Sequence, residues 1–380
     1  MKLLRPFNSV LFLLIIASIL SCSNSSKKGT DGLTSNDSLS IKYSKGFSIH
    51  YFKDYTQVTV NNPWVKGTFY ARYYLVRNTT TQVPNDGTKV IIPLKSIASA
   101  SVTHYEFLNL LGELNTVTGI CQANIVYNPV ILKGIQNGKI IDLGDAFHIN
   151  LEKVLQLHPS ALMMSGYNQN DPNAQRISQA GVPVIYNNEW METTPLGRAE
   201  WIKFVAVLYN KEQLADSLFR VIENRYNDIK QKAAVVKDKP NIMIGSNFRG
   251  TWYMPAGGSF MGQLFADAGT RYYYSKDTTT GSLPLNVETV LKNFSQTDVW
   301  LNCNYVSLND LLKADSKHRL FDPVKKKQVY NFNKRMLPSG ANDFWETAIA
   351  RPDLILADVI AILHPDILPN YQLFYAEKLK

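Results

Sequence analysis

Cysteine is scarce in this chain, three in 380 residues, which excludes a small fold stapled by disulfides. Two of the three, Cys121 and Cys303, lie far apart, each inside an apolar strand-like run, and read as buried free thiols rather than as a disulfide or a metal pair. Histidine is sparse too. His50, His148, His158, His318 and His364 stand in unlike contexts, so the cluster of three imidazoles and a carboxylate that a dedicated zinc or manganese site needs is missing. No Gly-x-Ser-x-Gly elbow, phosphate loop or Gly-x-Gly-x-x-Gly fingerprint occurs, and Gly257-Gly258 alone is too little to suggest nucleotide binding; catalysis is not expected. Nor is charge of one sign concentrated. The net charge of +9 is spread along the chain, the one tight basic run is Lys325-Lys326-Lys327, expected in a surface turn, and nothing suggests nucleic-acid binding.

What is present begins at the N-terminus. Lys2 and Arg5 precede an apolar run from Val10 to Leu20, and Ile19-Leu20-Ser21-Cys22 has the form of a bacterial lipidation site ending a secretory signal. The run is too short for a confident membrane-spanning helix. Residues 1–21 are thus expected to be removed, taking two positive charges and leaving +7, with lipid on Cys22 and a polar, flexible tether over 22–45. The expected location is the periplasm of a Gram-negative bacterium, with the chain anchored to a membrane.

The remainder is too long for one core. Alternating, aromatic-rich segments between 46 and 76 read as an opening β-hairpin or meander. From Lys89 short apolar strands alternate with short helical stretches ending in Gly, which implies a parallel sheet covered on both faces. Trp201, Phe204, Val205 and Leu208, and after Asn210 Leu214, Leu218, Val221, Ile222 and Ile229, recur at helical spacing, predicting one long helix, in one part or two, from about 197 to 234. Lys239-Pro240 ends it, and a second strand-and-helix series follows, closing with a helix from about Asp343 to Leu363. The expected fold is α/β: an N-terminal lobe over 46–196, a linking helix over 197–236 and a C-terminal lobe over 237–380, each lobe Rossmann-like with a mostly parallel sheet.

Two stretches carry a family resemblance. One is Glu192-Thr193-Thr194-Pro195-Leu196-Gly197-Arg198-Ala199-Glu200-Trp201, opening the linking helix; the other is Arg351-Pro352-Asp353-Leu354-Ile355-Leu356-Ala357-Asp358 with His364-Pro365. With the lipidation site and the order lobe, helix, lobe, they resemble the helical-linker periplasmic binding proteins of ABC importers for vitamin B12, haem and ferric siderophores, in a Bacteroidetes-like lipoprotein branch. The resemblance implies a monomer with no cofactor of its own, a metal-chelate ligand held between the lobes (ferric siderophore, haem or cobalamin), and an inner-membrane ABC permease as partner. A periplasmic carrier working without an importer is the alternative.

In this family large aromatic and cationic side chains reach the ligand from strand-to-helix loops. Here those are Arg249, Trp252 and Tyr253 after the first strand of the second lobe, Asp343 and Trp345 opening the last helix, Trp190 after a first-lobe strand, and His104 with Tyr105. Each aromatic could instead be core. His104 could be an axial ligand to iron or cobalt, or a helix-start residue bonding only to backbone. Relatives dock to the permease through one acidic residue on each lobe; Ser259 stands where the second-lobe glutamate is expected, leaving Asp171 and Asp267 as substitutes.

Overall fold

The computed structural model describes residues 39–168 and 170–380. The expected signal segment 1–21, Cys22 and the tether up to residue 38 lie outside the described residues. Among the described residues no helix is long and apolar enough to cross a membrane.

Two lobes are joined by a long helix, as expected. The N-terminal lobe is built on a five-stranded, wholly parallel sheet in the order Val184–Tyr186, Ala161–Met164, Ile97–Ser99, Val117–Ile120, Ile141–Asp142. Its central strands read as near-continuous apolar runs because both faces are covered: one hydrophobic cluster holds Ile97, Met163 and Ile185, a second holds Ala98, Leu162 and Val184. The C-terminal lobe has a three-stranded parallel sheet, Arg271–Tyr272, Asn241–Ile244 and Val299–Leu301, beside an antiparallel sheet of Asn247–Phe248, Thr251–Pro255 and Ser282–Leu285. The opening meander is larger than a hairpin. Phe47–Tyr51, Thr56–Asn61 and Phe69–Val76 pair antiparallel and Thr88–Ile91 joins in parallel. It packs on the edge of the N-terminal lobe, where the Tyr73 hydroxyl accepts from the Tyr186 backbone N–H (2.8 Å).

The linking helix differs from the expectation in one respect. It is three helices, Pro195–Ala199, Trp201–Val207 and Glu212–Ala234. The main break falls at 208–211, where the Leu208 carbonyl accepts from Leu94 N–H (3.0 Å) and Asn210 takes a left-handed φ of 55°. The closing helix is likewise divided, Asp343–Thr347 and Pro352–Leu363, since the residue before a proline is pushed out of helical geometry; Arg351 has φ −124° and ψ 57°. The linking helix packs along Pro352–Leu363 and is fastened to the helix Phe260–Asp267 through Asp267, which accepts from the Tyr226 hydroxyl (2.7 Å) and pairs with Lys230 (2.9 Å).

The segment 39–45, expected within the tether, is held by the first resemblance stretch. Two buried carboxylates take its backbone amides: Glu200 accepts from the N–H groups of Lys42, Tyr43 and Ser44 (2.9, 2.7 and 2.8 Å), and Glu192 from those of Lys45 and Gly46 (2.9 and 2.7 Å) and from the Trp201 indole (3.1 Å). Lys203, itself 3% exposed, donates to Glu200 (3.0 Å) and to the Ser40 carbonyl (2.6 Å). Gly46 is obligatory, because a Cβ there would sit 2.7 Å from the Trp201 ring. A polar strap thus lies on an apolar body with its donors satisfied by charge.

Replacing Glu200 by Ala strands three amides and takes from the buried Lys203 ammonium its nearest carboxylate, leaving it the Ser40 carbonyl and Asp216 at 3.6 Å. The expected cost is about 3–5 kcal/mol, read as a lower urea midpoint at unchanged slope. Trypsin should also cut after Lys42 or Lys45 in E200A faster than in the parent. Equal midpoints and equal cleavage would show that the strap does not depend on this carboxylate.

Candidate functional site

All five strands of the N-terminal lobe run the same way, so the loops that follow them emerge at one edge, the place where open α/β sheets bind ligands. Three aromatic rings line up there. Tyr167, three residues beyond Ala161–Met164, is 49% exposed; Phe147 is 59% exposed; Trp190 lies half-buried in the 3-10 turn Glu189–Met191 that follows Val184–Tyr186. Ring centroids are 4.9 Å apart for Phe147 and Tyr167 and 5.4 Å for Tyr167 and Trp190. The tier borders a recess of about 240 Å3 that includes Ala100, Met164, Ser165 and Asp171. Phe147 and Tyr167 escaped the sequence reading; the position of Tyr167 just past an apolar strand is the signal that could have found it.

His104 and Tyr105 lie beneath this tier, both fully buried. The His104 Nδ1 is 3.0 Å from the Ser99 hydroxyl, its Nε2 is 3.5 Å from Ser165 Oγ and 3.8 Å from the Glu189 carboxylate. That last distance would suit an ion pair, but burial holds the imidazole neutral, its pKa down at about 3, and pushes Glu189 up to about 7. Glu189 takes one bond, from the Thr103 hydroxyl (2.6 Å), and its other oxygen has no partner. Of the two readings of His104, axial ligand or helix-start residue bonding only to backbone, neither describes what is found: a buried ring whose nitrogens face the Ser99 and Ser165 hydroxyls. The Tyr105 hydroxyl is buried and unpartnered, its pKa pushed well up by burial.

The C-terminal lobe separates residues that stand together in sequence. Along Thr251–Pro255 side chains alternate in and out, so Trp252 and Met254 are completely buried while Tyr253 is 50% exposed. Trp252 is therefore core: it packs on Trp300 (5.4 Å), and the two indoles donate to the Ile244 and Gly245 carbonyls, 2.8 Å each, at the end of the central strand. Arg249 sits exposed at the tip of the hairpin before Tyr253, at φ 52°, its guanidinium 5.2 Å from the Phe248 ring. On the helix Asp343–Thr347, Trp345 is 54% exposed whereas Asp343 is buried against Arg335 (2.5 Å). That helix packs on the turn Val102–His104, whose Thr103 bonds Glu189 beside Trp190. Both candidate docking carboxylates have partners within the chain: Asp171 caps the helix Pro172–Gln179 through the N–H groups of Asn173 and Ala174, and Asp267 fastens the linking helix.

Carboxylates also close the lobes on each other. Glu346 of the C-terminal lobe accepts from the Tyr127 N–H of the N-terminal lobe, and beside it a recess of about 290 Å3 includes Glu106, Arg335, Asp343 and Arg351. Burial pushes Glu346 up to about 7, helped by the neighbouring Asp343 and Glu106 charges and opposed by the Tyr127 amide; burial pushes Glu106 up to about 6, opposed by its bond from Asn109. Among the described residues no group of three metal-ligating side chains forms, here or elsewhere.

These raised values fix a sign. A carboxyl whose pKa rises on folding takes up a proton as the chain folds, so its stabilisation is complete below the ordinary value of 4.5 and is lost as pH rises through about 7. Glu346→Gln removes that group's share. Between pH 5 and pH 8 the parent should lose more stability in urea than E346Q, by about 1–3 kcal/mol; parallel losses would mean that Glu346 does not titrate in this window.

The family profile described as periplasmic binding protein matches residues 97–336. An uncharacterized lipoprotein of Methanocaldococcus jannaschii is 24% identical over 375 residues, covering 91% of this chain and 87% of its own length. Among solved structures, Helicobacter pylori CeuE with Ni(II) bound is similar with a TM-score of 0.58 at 16% identity, over 78% of this chain and 92% of that one. The periplasmic vitamin B12 binding protein of Vibrio cholerae is similar with a TM-score of 0.53 at 15% identity, over 73% of this chain and 99% of that one. Identities this low speak for the fold alone, but the profile takes in the parallel sheets of both lobes and the linking helix between them, and the chain belongs to the periplasmic binding protein family.

Proposed function

We propose that this chain is the ligand-capturing subunit of an ABC importer, anchored through lipid on Cys22 outside the cytoplasmic membrane, and that it takes a metal chelate between its lobes and passes it to the permease. The observation that carries this reading is the tier of exposed Phe147 and Tyr167 with half-buried Trp190 at the carboxyl edge of the N-terminal lobe's parallel sheet. Rings left half-exposed in a ladder cost hydration and gain little from each other; they gain when a flat or conjugated partner covers them. Trp345 supplies the matching ring from the other lobe, and Arg335, with 41% of its side chain exposed, supplies a cation for an anionic chelate.

Three ligand classes suit such a surface: ferric siderophore, cobalamin and haem. His104, with no exposed face, weighs against axial ligation by that residue, while His148, exposed and next in sequence to Phe147, offers an imidazole at the edge of the tier. Delivery to the permease fits Asp171 better than Asp267, because Asp267 has both oxygens engaged by the linking helix.

The test is quenching of tryptophan fluorescence in the full-length chain, held in detergent, by cyanocobalamin, haemin and ferric enterobactin in turn. One of them should bind saturably below micromolar, with Trp345→Ala and Tyr167→Ala each weakening it at least tenfold, about 1.4 kcal/mol. Trp252→Phe, a change inside the core, should leave the affinity unchanged. Absence of saturable quenching by all three compounds would sink the metal-chelate reading.

A further inference from the structure

A groove of about 810 Å3 lies away from the loops just described, between the opening four-stranded meander and the break that leads into Glu212–Ala234. Its sheet wall, residues 51–92, precedes the family-matched segment 97–336, and its other wall is 210–214. The volume falls within the roughly 300–1,000 Å3 of small-molecule pockets. We infer that this groove is a second binding site, for an acidic saccharide.

The argument begins with the turn between Phe47–Tyr51 and Thr56–Asn61, closed by the bond from Phe52 N–H to the Tyr55 carbonyl (2.9 Å). Phe52 and Tyr55 stack at 4.8 Å and 28°, and Tyr74 braces Tyr55 edge-on at 5.3 Å and 89°. Both stacked rings remain partly exposed and line the groove, over a floor that includes Leu75 and Ile92. A rigid aromatic platform of this kind suits the apolar C–H face of a sugar ring.

The rest of the lining suits the sugar's edge. Carboxamides of Asn78 and Asn210 offer donors and acceptors side by side, and the carboxylate of Asp54 can accept from a hydroxyl. Two cations also line the groove. Lys53 and Arg77 are exposed and, among the described residues, form no ion pair, whereas Lys211 is already committed to Glu113 (2.5 Å) and the Leu111 carbonyl (2.7 Å). Free cations beside an aromatic platform select a sugar bearing a carboxylate, with Arg77 able to take it in the forked geometry. A lipid chain would need a continuous apolar wall, which this lining lacks.

The site is independent of the proposed import ligand. The experiment is calorimetric titration of the full-length chain in detergent with trigalacturonate and a hyaluronan tetrasaccharide, and with maltotriose as the neutral counterpart. At least one acidic oligosaccharide should bind saturably and maltotriose at least tenfold more weakly. Arg77→Gln and Tyr55→Ala should each weaken binding at least tenfold while keeping the parent's urea midpoint, and Trp345→Ala in the other site should leave it unchanged. No saturable binding of either acidic probe overturns the proposal. So does binding that survives both groove variants, that is lost in W345A, or that maltotriose matches.

Discussion

Buried carboxylates that accept backbone amides are the interaction on which this architecture rests. A carboxylate can leave water only if its lone pairs are filled by donors that are themselves fixed, and main-chain N–H groups are the most rigid donors a chain has. Glu200 and Glu192 use five of them to hold 42–46 against the linking region, and Asp358, on the helix Pro352–Leu363, uses three more: the N–H groups of Phe374, Tyr375 and Ala376 at 2.7, 2.6 and 2.8 Å. Segments near both ends of the chain are therefore tied to helices that pack near the centre. Each tie gives a fully polar stretch of backbone a place on an apolar body without a sheet to complete its bonds.

With these two segments secured, the scaffold can leave its loop edge under-packed. The linking helix, Pro352–Leu363 and the helix Phe260–Asp267 form one hydrophobic cluster with the N-terminal lobe, so the lobes share a core rather than meeting across a wet seam. Burial is concentrated there, and the loops beyond the strand ends keep Phe147, Tyr167 and Trp345 in solvent. The same contrast explains Glu346. A carboxyl that reaches across to the Tyr127 amide must be dehydrated by both lobes at once, and that loss of water is the main cause of its raised pKa.

The order of elements was legible because hydrophobic periodicity is a local property: apolar runs marked Ala161–Met164 and Val184–Tyr186, and three-and-four spacing marked Glu212–Ala234. Breaks within helices were partly legible: the spacing allowed a two-part linking helix resuming after Asn210, and the break at 208–211, where Leu94 draws out a carbonyl, answers to it, whereas the break at Arg351-Pro352 falls inside the single helix expected over 343–363 although the proline carries its signal. The two resemblance stretches were also found, although their chemistry was not. Glu192, Glu200 and Asp358 read as part of a family pattern, and only the folded chain shows that they are clamps for backbone far away in sequence. Site residues were harder still. Trp252 and Tyr253 are neighbours, and a strand must send neighbours to opposite faces, so at most one of the pair could reach ligand; applying the two-residue period to that segment separates them.

The shared core bears on how such a protein handles ligand. Opening by a hinge requires a seam that can part at small cost, as paired extended strands provide. Here the linking segment is helical, its longest helix is fastened to the C-terminal lobe by Tyr226 and Lys230 through Asp267, Trp201–Val207 packs on Phe47 and Tyr105–Leu110 of the N-terminal lobe, Pro195–Ala199 touches Phe260–Asp267 and Pro352–Leu363 of the C-terminal lobe, and Glu346 bridges the lobes directly. Wide separation would expose apolar surface continuous with the core and strand a buried carboxylate, which together oppose it far more than a flexible connector would. On the proposed reading, recognition falls to side chains at the loop edge, which can reorient while the scaffold stays put, and the half-exposed rings of Tyr167 and Trp345 have the freedom to do so.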